Sequence, residues 1–182
     1  MKAVVVVAHP DDCILFALGI VQLMKEWTWS IAYLTYTRDS DRGQEIGNFW
    51  QRRNIETIWL GYTDDYRDID RGHVSFDGAA AAADIQCVIA RYDVVVTHDA
   101  NGDYGHVHHR FVNASIVGCH PNIITFSPFG QGNLHVALPN GLYTLDEIPQ
   151  HATLGDFINP NNRRNEYQVP LALKNQYPQM SQ

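Results

Sequence analysis

The sequence is short of three things, and each shortage excludes a class. Cysteine is scarce: Cys13, Cys87 and Cys119 make an odd number with no C-x-x-C pair. That argues against a disulfide framework or a zinc ribbon and fits buried thiols in a reducing compartment. Long apolar runs are missing, so no segment approaches the length of a membrane span. A basic excess is missing too: the formal net charge is −7 over 182 residues. General binding to nucleic acid or an anionic membrane needs a basic face. The first apolar run is too short for a leader and ends in charge. The expectation is a cytoplasmic protein without nucleic-acid or membrane partners, in one domain over residues 1–182.

Histidine is what the chain has in quantity. There are nine, and His98, His106, His108 and His109 fall within twelve positions. A second feature opens the chain, where the apolar run Ala3–Ala8 stops on His9-Pro10-Asp11-Asp12. Consecutive valines suit a strand buried on both faces. Pro10 cannot extend a sheet ladder, so the strand should end near His9.

Strands and helices then alternate. A helix follows to about Lys25, a strand covers Trp29–Tyr36, and a polar loop from Thr37 to Gly43 carries Arg38. A helix over Glu45–Thr57, a strand over Ile58–Tyr62 and an acidic loop with Asp64 come next. Residues 66–77 read as irregular. A helix over Ala79–Ala90, a strand over Asp93–His98, a helix over His106–Val117 and a strand over Asn122–Phe126 complete the pattern. Such alternation predicts an α/β fold, a Rossmann-like three-layer sandwich with a mostly parallel sheet. Both His clusters then lie at the carboxyl edge of the strands, where open α/β sheets bind ligands. Beyond Ser127 the pattern weakens, and residues from about 159 to 182 read as an arm or tail.

His9 and Asp12 are three apart across a strand-to-helix turn, so both can face one point, and Asp11 can reach it from another side. His106 and His109 share a helix face. Two His and one carboxylate around an open position form a catalytic zinc pattern. A general base and an oxyanion donor complete such a site, and a spare carboxylate and a spare His supply both.

Ala8-His9-Pro10-Asp11-Asp12 together with Gly105-His106-Val107-His108-His109 resembles the two boxes of the PIG-L or LmbE-like zinc-dependent deacetylases. Arg53-Asn54-Ile55-Glu56 matches the family's R-x-x-E, and Leu60-Gly61-Tyr62-Thr63-Asp64 its Leu-Gly strand followed by Asp. The resemblance covers residues 3 to 118 and implies an LmbE-like fold, a Zn2+ cofactor and N-deacetylation of an N-acetylglucosamine-type amino-sugar conjugate. It implies His9, Asp12 and His109 as metal ligands and Asp11 as general base. It implies His106 as oxyanion donor, in imidazolium form and able to protonate the leaving amine, with Tyr104 beside the carbonyl. Arg53 and Asp64 match positions that hold sugar hydroxyls or phosphate, and Arg38 joins them as a substrate-binding residue at the sheet edge.

Two positions depart from the family pattern. Cys13 stands where a glutamate ends the first box, and His108 where an aspartate tunes the neighbouring His. Both are expected around the ligands: Cys13 as support, or as a thiol open to metal binding or oxidation, and His108 as a partner that lowers the His106 pKa, with a substitute-ligand role as the less favoured alternative. Two rivals belong to other classes. One is a metal-dependent nucleoside or phosphoester hydrolase with oxygen-rich ligation. The other is a non-catalytic metal- and sugar-binding relative, with Cys13 and His108 as its motive. The oligomeric state is left open, a homo-oligomer included.

Overall fold

A computed structural model describes residues 1–127, 130–138 and 164–181. The first strand, β1 (Lys2–Val7), lies between β2 (Thr28–Thr35) and β4 (Val94–Thr97) and is parallel to both. Its pleat sends alternate side chains to opposite faces. Ala3, Val5 and Val7 join one apolar cluster, Val4, Val6 and Ala8 the other, and all six are fully buried. This is why the run is apolar without alternation.

The first face is covered by α1 (Leu18–Leu23) and α2 (Asp41–Gln51), through Leu18, Ile20, Ile46, Phe49 and Trp50. The second is covered by α4 (Gly78–Ile89) and α5 (Val107–Ile116), through Ala81, Ile85, Val112 and Ile116. A short helix, α3 (Arg67–Arg71), occupies part of the stretch expected to be irregular. Strands β3 (Glu56–Tyr62), β5 (Ile123–Phe126), β6 (Leu134–Ala137) and β7 (Arg164–Gln168) complete the sheet. Its order is β3-β2-β1-β4-β5-β7-β6, parallel from β3 to β5, with β7 antiparallel to both β5 and β6. The three-layer, mostly parallel α/β architecture agrees with the sequence. Helix α2 begins earlier than expected because the Ser40 hydroxyl caps it, accepting from Gly43 N at 3.1 Å.

The chain runs outward from β1 to β3, then returns to β4 on the other side of β1. The order therefore reverses between β1 and β4, and a crevice opens at such a switch point. His9 follows β1 and His98 follows β4, so the topology delivers both polar clusters to that crevice.

The tail is the main departure from expectation. Residues 159–163 lie outside the described residues, but 164–181 form β7, α6 (Leu171–Gln176) and a closing 3-10 turn (Pro178–Ser181). Tyr167, Leu173 and Met180 are buried in the core. Strand β7 also repairs a backbone irregularity. The chain after the first box makes a π-helical turn, Cys13–Ala17, before α1 begins. Such a junction leaves backbone groups without regular partners. Asn165 accepts from Gly19 N and donates to Leu15 O, both at 2.8 Å. Tyr167 OH accepts from Ile20 N at 2.9 Å and donates to Phe16 O at 2.8 Å. Asn165→Ala should therefore lower the unfolding free energy by about 2–3 kcal/mol, measured by denaturant titration.

Candidate metal centre

The pairing of β1 with β2 continues one residue past Val7 before Pro10 ends it. Thr35 donates to Ala8 O through its N–H at 3.0 Å and its hydroxyl at 2.7 Å. The chain then turns, and His9 N donates to Asp12 Oδ2 at 2.8 Å, so the box folds onto its own carboxylate. The first turn of α5 brings in His109. His9 Nδ1 lies 3.2 Å from His109 Nε2 and 3.3 Å from Asp12 Oδ2. His109 Nε2 lies 3.3 Å from that same oxygen. The three donor atoms form a nearly equilateral triangle, and all three residues are buried. Tetrahedral zinc with bonds of about 2.0 Å has ligand atoms about 3.3 Å apart, so the triangle matches one face of that tetrahedron. The two facing nitrogens also need a proton or a cation between them, since two lone pairs repel at 3.2 Å just as two N–H groups do.

The surrounding hydrogen bonds decide which nitrogen of each ring carries its proton. Asp103 Oδ2 accepts from His109 Nδ1 at 2.9 Å, which leaves the Nε2 lone pair facing the triangle. The same oxygen accepts from His98 Nδ1 at 2.5 Å, while His98 Nε2 accepts from Ala8 N at 3.0 Å. His98 therefore has no lone pair to spare, although Asp12, His98 and His109 cluster closely enough for ligation. On the other side, His108 Nε2 donates to Asp68 Oδ2 at 3.0 Å, and His108 Nδ1 faces His9 Nε2 at 3.1 Å. With a cation in the triangle, the His9 proton sits on Nε2 and Nδ1 is free; without one, burial opposes a charge on His9, but Asp12 and Asp64 outweigh it and raise its pKa to about 10. Burial opposes ionisation of Asp12, but His109 and His9 outweigh it and hold the carboxyl well below its usual range.

Two further groups belong to the same surroundings: Asp11, next to Asp12 in the chain and held by Arg42, and His106, close enough to His9 and His109 to share an ion with them. Asp11 Oδ1 accepts from Arg42 Nη2 at 2.7 Å. Burial and the Asp12 charge push the Asp11 carboxyl up, against the pull of Arg42 and His9. Arg42 Nη1 donates to Tyr36 OH at 3.1 Å, and Tyr36 OH donates to Asp64 Oδ2 at 3.0 Å. His106 caps α5: its Nδ1 accepts from His108 N at 3.2 Å, so its ring proton sits on Nε2. Burial and the nearby His9, His109 and His108 push its pKa down to about 3. These surroundings favour a neutral imidazole rather than the imidazolium expected from the sequence.

Residues 4–119 match the family described as GlcNAc-PI de-N-acetylase, PIG-L. The chain belongs to the PIG-L family. No curated protein matches it in sequence. Among solved structures it resembles an antimicrobial reagent pseudoaglycone deacetylase, at 14% identity and TM-score 0.59, covering 92% of this chain and 96% of that one. It resembles the zinc inhibited form of teicoplanin deacetylase Orf2, at 12% identity and TM-score 0.56 over the same shares. It also resembles a 4-carboxy-2-hydroxymuconate hydratase from Pseudomonas putida KT2440, at 14% identity and TM-score 0.55, covering 70% of this chain and 65% of the hydratase. At these identities the likeness shows the LmbE-like fold alone, and the hydratase shows that one fold can carry different reactions.

The two departures from the PIG-L pattern are both buried, but they face different ways. Cys13 turns from the triangle into the core. Its thiol meets Tyr33 OH at 2.9 Å, accepts from Trp50 Nε1 at 3.1 Å and lies 3.2 Å from Pro10 O. Burial pushes that thiol up to about 12, so it supports the turn without competing as a ligand. His108 faces His9 and is anchored on a carboxylate of its own, Asp68.

Two expected substrate-binding residues are not brought to the centre. Arg53 sits past the end of α2, at the opposite edge of the sheet. It donates to Phe49 O at 3.0 Å and lies 3.7 Å over the Phe49 ring. Arg38 folds back onto α2, donating to Gly43 O at 3.2 Å and Asn48 Oδ1 at 2.9 Å. Its guanidinium fills the space over Gly47, where a Cβ would meet Arg38 Cζ at 2.5 Å. The arginine that does arrive is Arg42, which opens a second R-x-x-E, Arg42-Gly43-Gln44-Glu45, in the first turn of α2. Asp64 is adjacent to the centre, with Oδ1 3.5 Å from His9 Nε2. Tyr104 is 50% exposed, its ring 5.2 Å from that of His109, and it lines a cleft with Asp99, Asn101, Ser127 and Gln131.

Sequence reasoning passed over Asp103, Asp68, Tyr36 and Arg42. Asp103 could have been suspected from its place between two His-bearing segments. It adopts φ 62, a left-handed conformation that Asp tolerates better than most residues, and this aims its carboxylate at two imidazoles.

Proposed function

We propose that this PIG-L protein is a zinc-dependent hydrolase that removes an N-acetyl group from an N-acetylglucosamine-type conjugate. The observation that carries the proposal is the His9–Asp12–His109 donor triangle with Asp11 and His106 beside it. Family membership supports the reaction class, and two neighbours in fold are named as deacetylases, one in a zinc inhibited form. A zinc held by His9 Nδ1, Asp12 Oδ2 and His109 Nε2 would acidify a water and polarise the amide carbonyl.

The chain's own groups handle the protons and the charge. Arg42 pins Asp11 through Oδ1, which leaves Oδ2 to take a proton from the attacking water. The bond from that water oxygen to the carbonyl carbon forms as the proton leaves. His106 Nε2–H, free because Nδ1 is used in the helix cap, donates to the developing oxyanion. Tyr104 can add an O–H, since burial and the Asp12 and Asp11 charges keep its phenol protonated. A neutral His106 is a poor acid, so the proton stored on Asp11 passes to the nitrogen as the C–N bond breaks. Acetate and an amine leave. Asp64 and the Tyr104 cleft offer acceptors and donors for sugar hydroxyls. Among the described residues no helix is long and apolar enough to cross a membrane.

The test is acetate release from a panel of N-acetylglucosamine conjugates, with phosphoesters and nucleosides as the contrasting panel. Acetate release with zinc is expected; turnover confined to the second panel would overturn the proposal. A pH profile adds a sharper expectation. Arg42 lowers the Asp11 pKa from 2.7 Å away, so Arg42→Gln removes that pull. The base is active above its pKa, so the acid limb of kcat/KM should move to higher pH.

A further inference from the structure

We propose that the chain has a second divalent-cation site, built on the far nitrogen of the His9 ring. Its donors are His9 Nε2, His108 Nδ1 and Asp64 Oδ1. His9 Nε2 lies 3.1 Å from His108 Nδ1 and 3.5 Å from Asp64 Oδ1, and His108 Nδ1 lies 3.6 Å from that oxygen. These edges bracket the spacing of about 3.3 Å expected of ligand atoms around tetrahedral zinc.

Outer hydrogen bonds hold these donors in the same way as those of the first triangle. His109 is oriented there by Asp103; here Asp68 Oδ2 accepts from His108 Nε2 at 3.0 Å and leaves Nδ1 as the free lone pair. Asp68 is itself fixed, since the same oxygen accepts from Ser75 N at 3.0 Å and Ser75 Oγ at 3.2 Å. Asp64 is held through Oδ2 by Tyr36 OH, and Oδ1 remains available. Carboxylate-backed imidazoles are the usual outer arrangement of a metal ligand. The Asp64 side chain is 23% exposed, which gives the site a route to solvent and to a water as fourth ligand.

The donor set also names the cation class. Two imidazole nitrogens and one carboxylate suit zinc and its neighbours, not calcium or magnesium, which prefer oxygen. His9 belongs to both triangles. With a cation on Nδ1, its Nε2 carries the proton that is hydrogen-bonded to His108. A second cation would take the place of that proton between His9 Nε2 and His108 Nδ1. His108 makes the site possible, and it is the residue that departs from the family pattern. The proposal concerns binding alone and stands apart from the deacetylase reading.

The experiment is equilibrium dialysis of the full chain against zinc, with metal content measured per chain. Two zinc ions per wild-type chain are expected at saturation, falling to one in Asp64→Asn and in His108→Gln. Asp64 is partly exposed, so its variant tests the site even where the buried His108 change harms folding. One zinc in the wild type, unchanged in Asp64→Asn, would overturn the second site and leave the first intact. Two ions retained in both variants would overturn it as well. A wild-type chain that takes no zinc would fail both triangles.

Discussion

Asp11→Asn is expected to keep the first zinc and lose about 10³-fold in turnover, the scale of a lost general base. The amide has nearly the shape of the carboxylate and can keep one contact to Arg42. It has no basic oxygen comparable to Oδ2, so the water proton has no acceptor and the amine receives none in return. Asp11 is not a corner of the donor triangle, which is why metal content and activity should separate in this variant. The check is metal analysis beside acetate release on the same preparation. Equal loss of zinc and activity would make Asp11 a ligand or a structural residue instead.

Asp12→Ala should fail in the opposite manner, with metal and activity lost together. Its Oδ2 is one corner of the triangle, 3.3 Å from both ring nitrogens, and it also accepts the buried His9 N–H. Removing it leaves two facing imidazoles without their shared carboxylate. The unpaired backbone N–H adds a stability loss of about 1–3 kcal/mol. Metal content should fall below stoichiometric, and the melting temperature of the metal-free protein should fall too. A variant that keeps one tightly held zinc would remove Asp12 from the centre.

Much of this molecule was legible in the sequence for one physical reason. Strands buried on both faces must be apolar throughout, so β1 and β4 stand out as valine runs, and polar residues at their ends have to be explained. Those runs, with the strand–helix alternation, place both His clusters at one sheet edge, and the family resemblance singles out His9, Asp12 and His109 among them. What stayed illegible depends on long-range contacts. Strand β7 carries Asn165, Glu166 and Tyr167, and its buried polar groups serve backbone atoms of a helix far away in sequence, so no alternation marks it. Asp103 and Asp68 look like loop carboxylates until the fold sets imidazoles beside them. The arginine was misplaced because R-x-x-E occurs at both ends of the second helical segment, and only the topology shows that Arg42 lies at the strand carboxyl ends while Arg53 lies at the other edge. His108 read as a departure from a pattern; its partner Asp68 belongs to a stretch with no periodicity to reveal it.

The most direct test of the centre is an anomalous difference map, recorded at the zinc edge, from crystals of the zinc-loaded chain. A peak is expected about 2.0–2.2 Å from each of His9 Nδ1, Asp12 Oδ2 and His109 Nε2, with a fourth position facing Asp11 and His106. A map with no peak among those three atoms, or with zinc bound only elsewhere on the chain, would contradict the assignment.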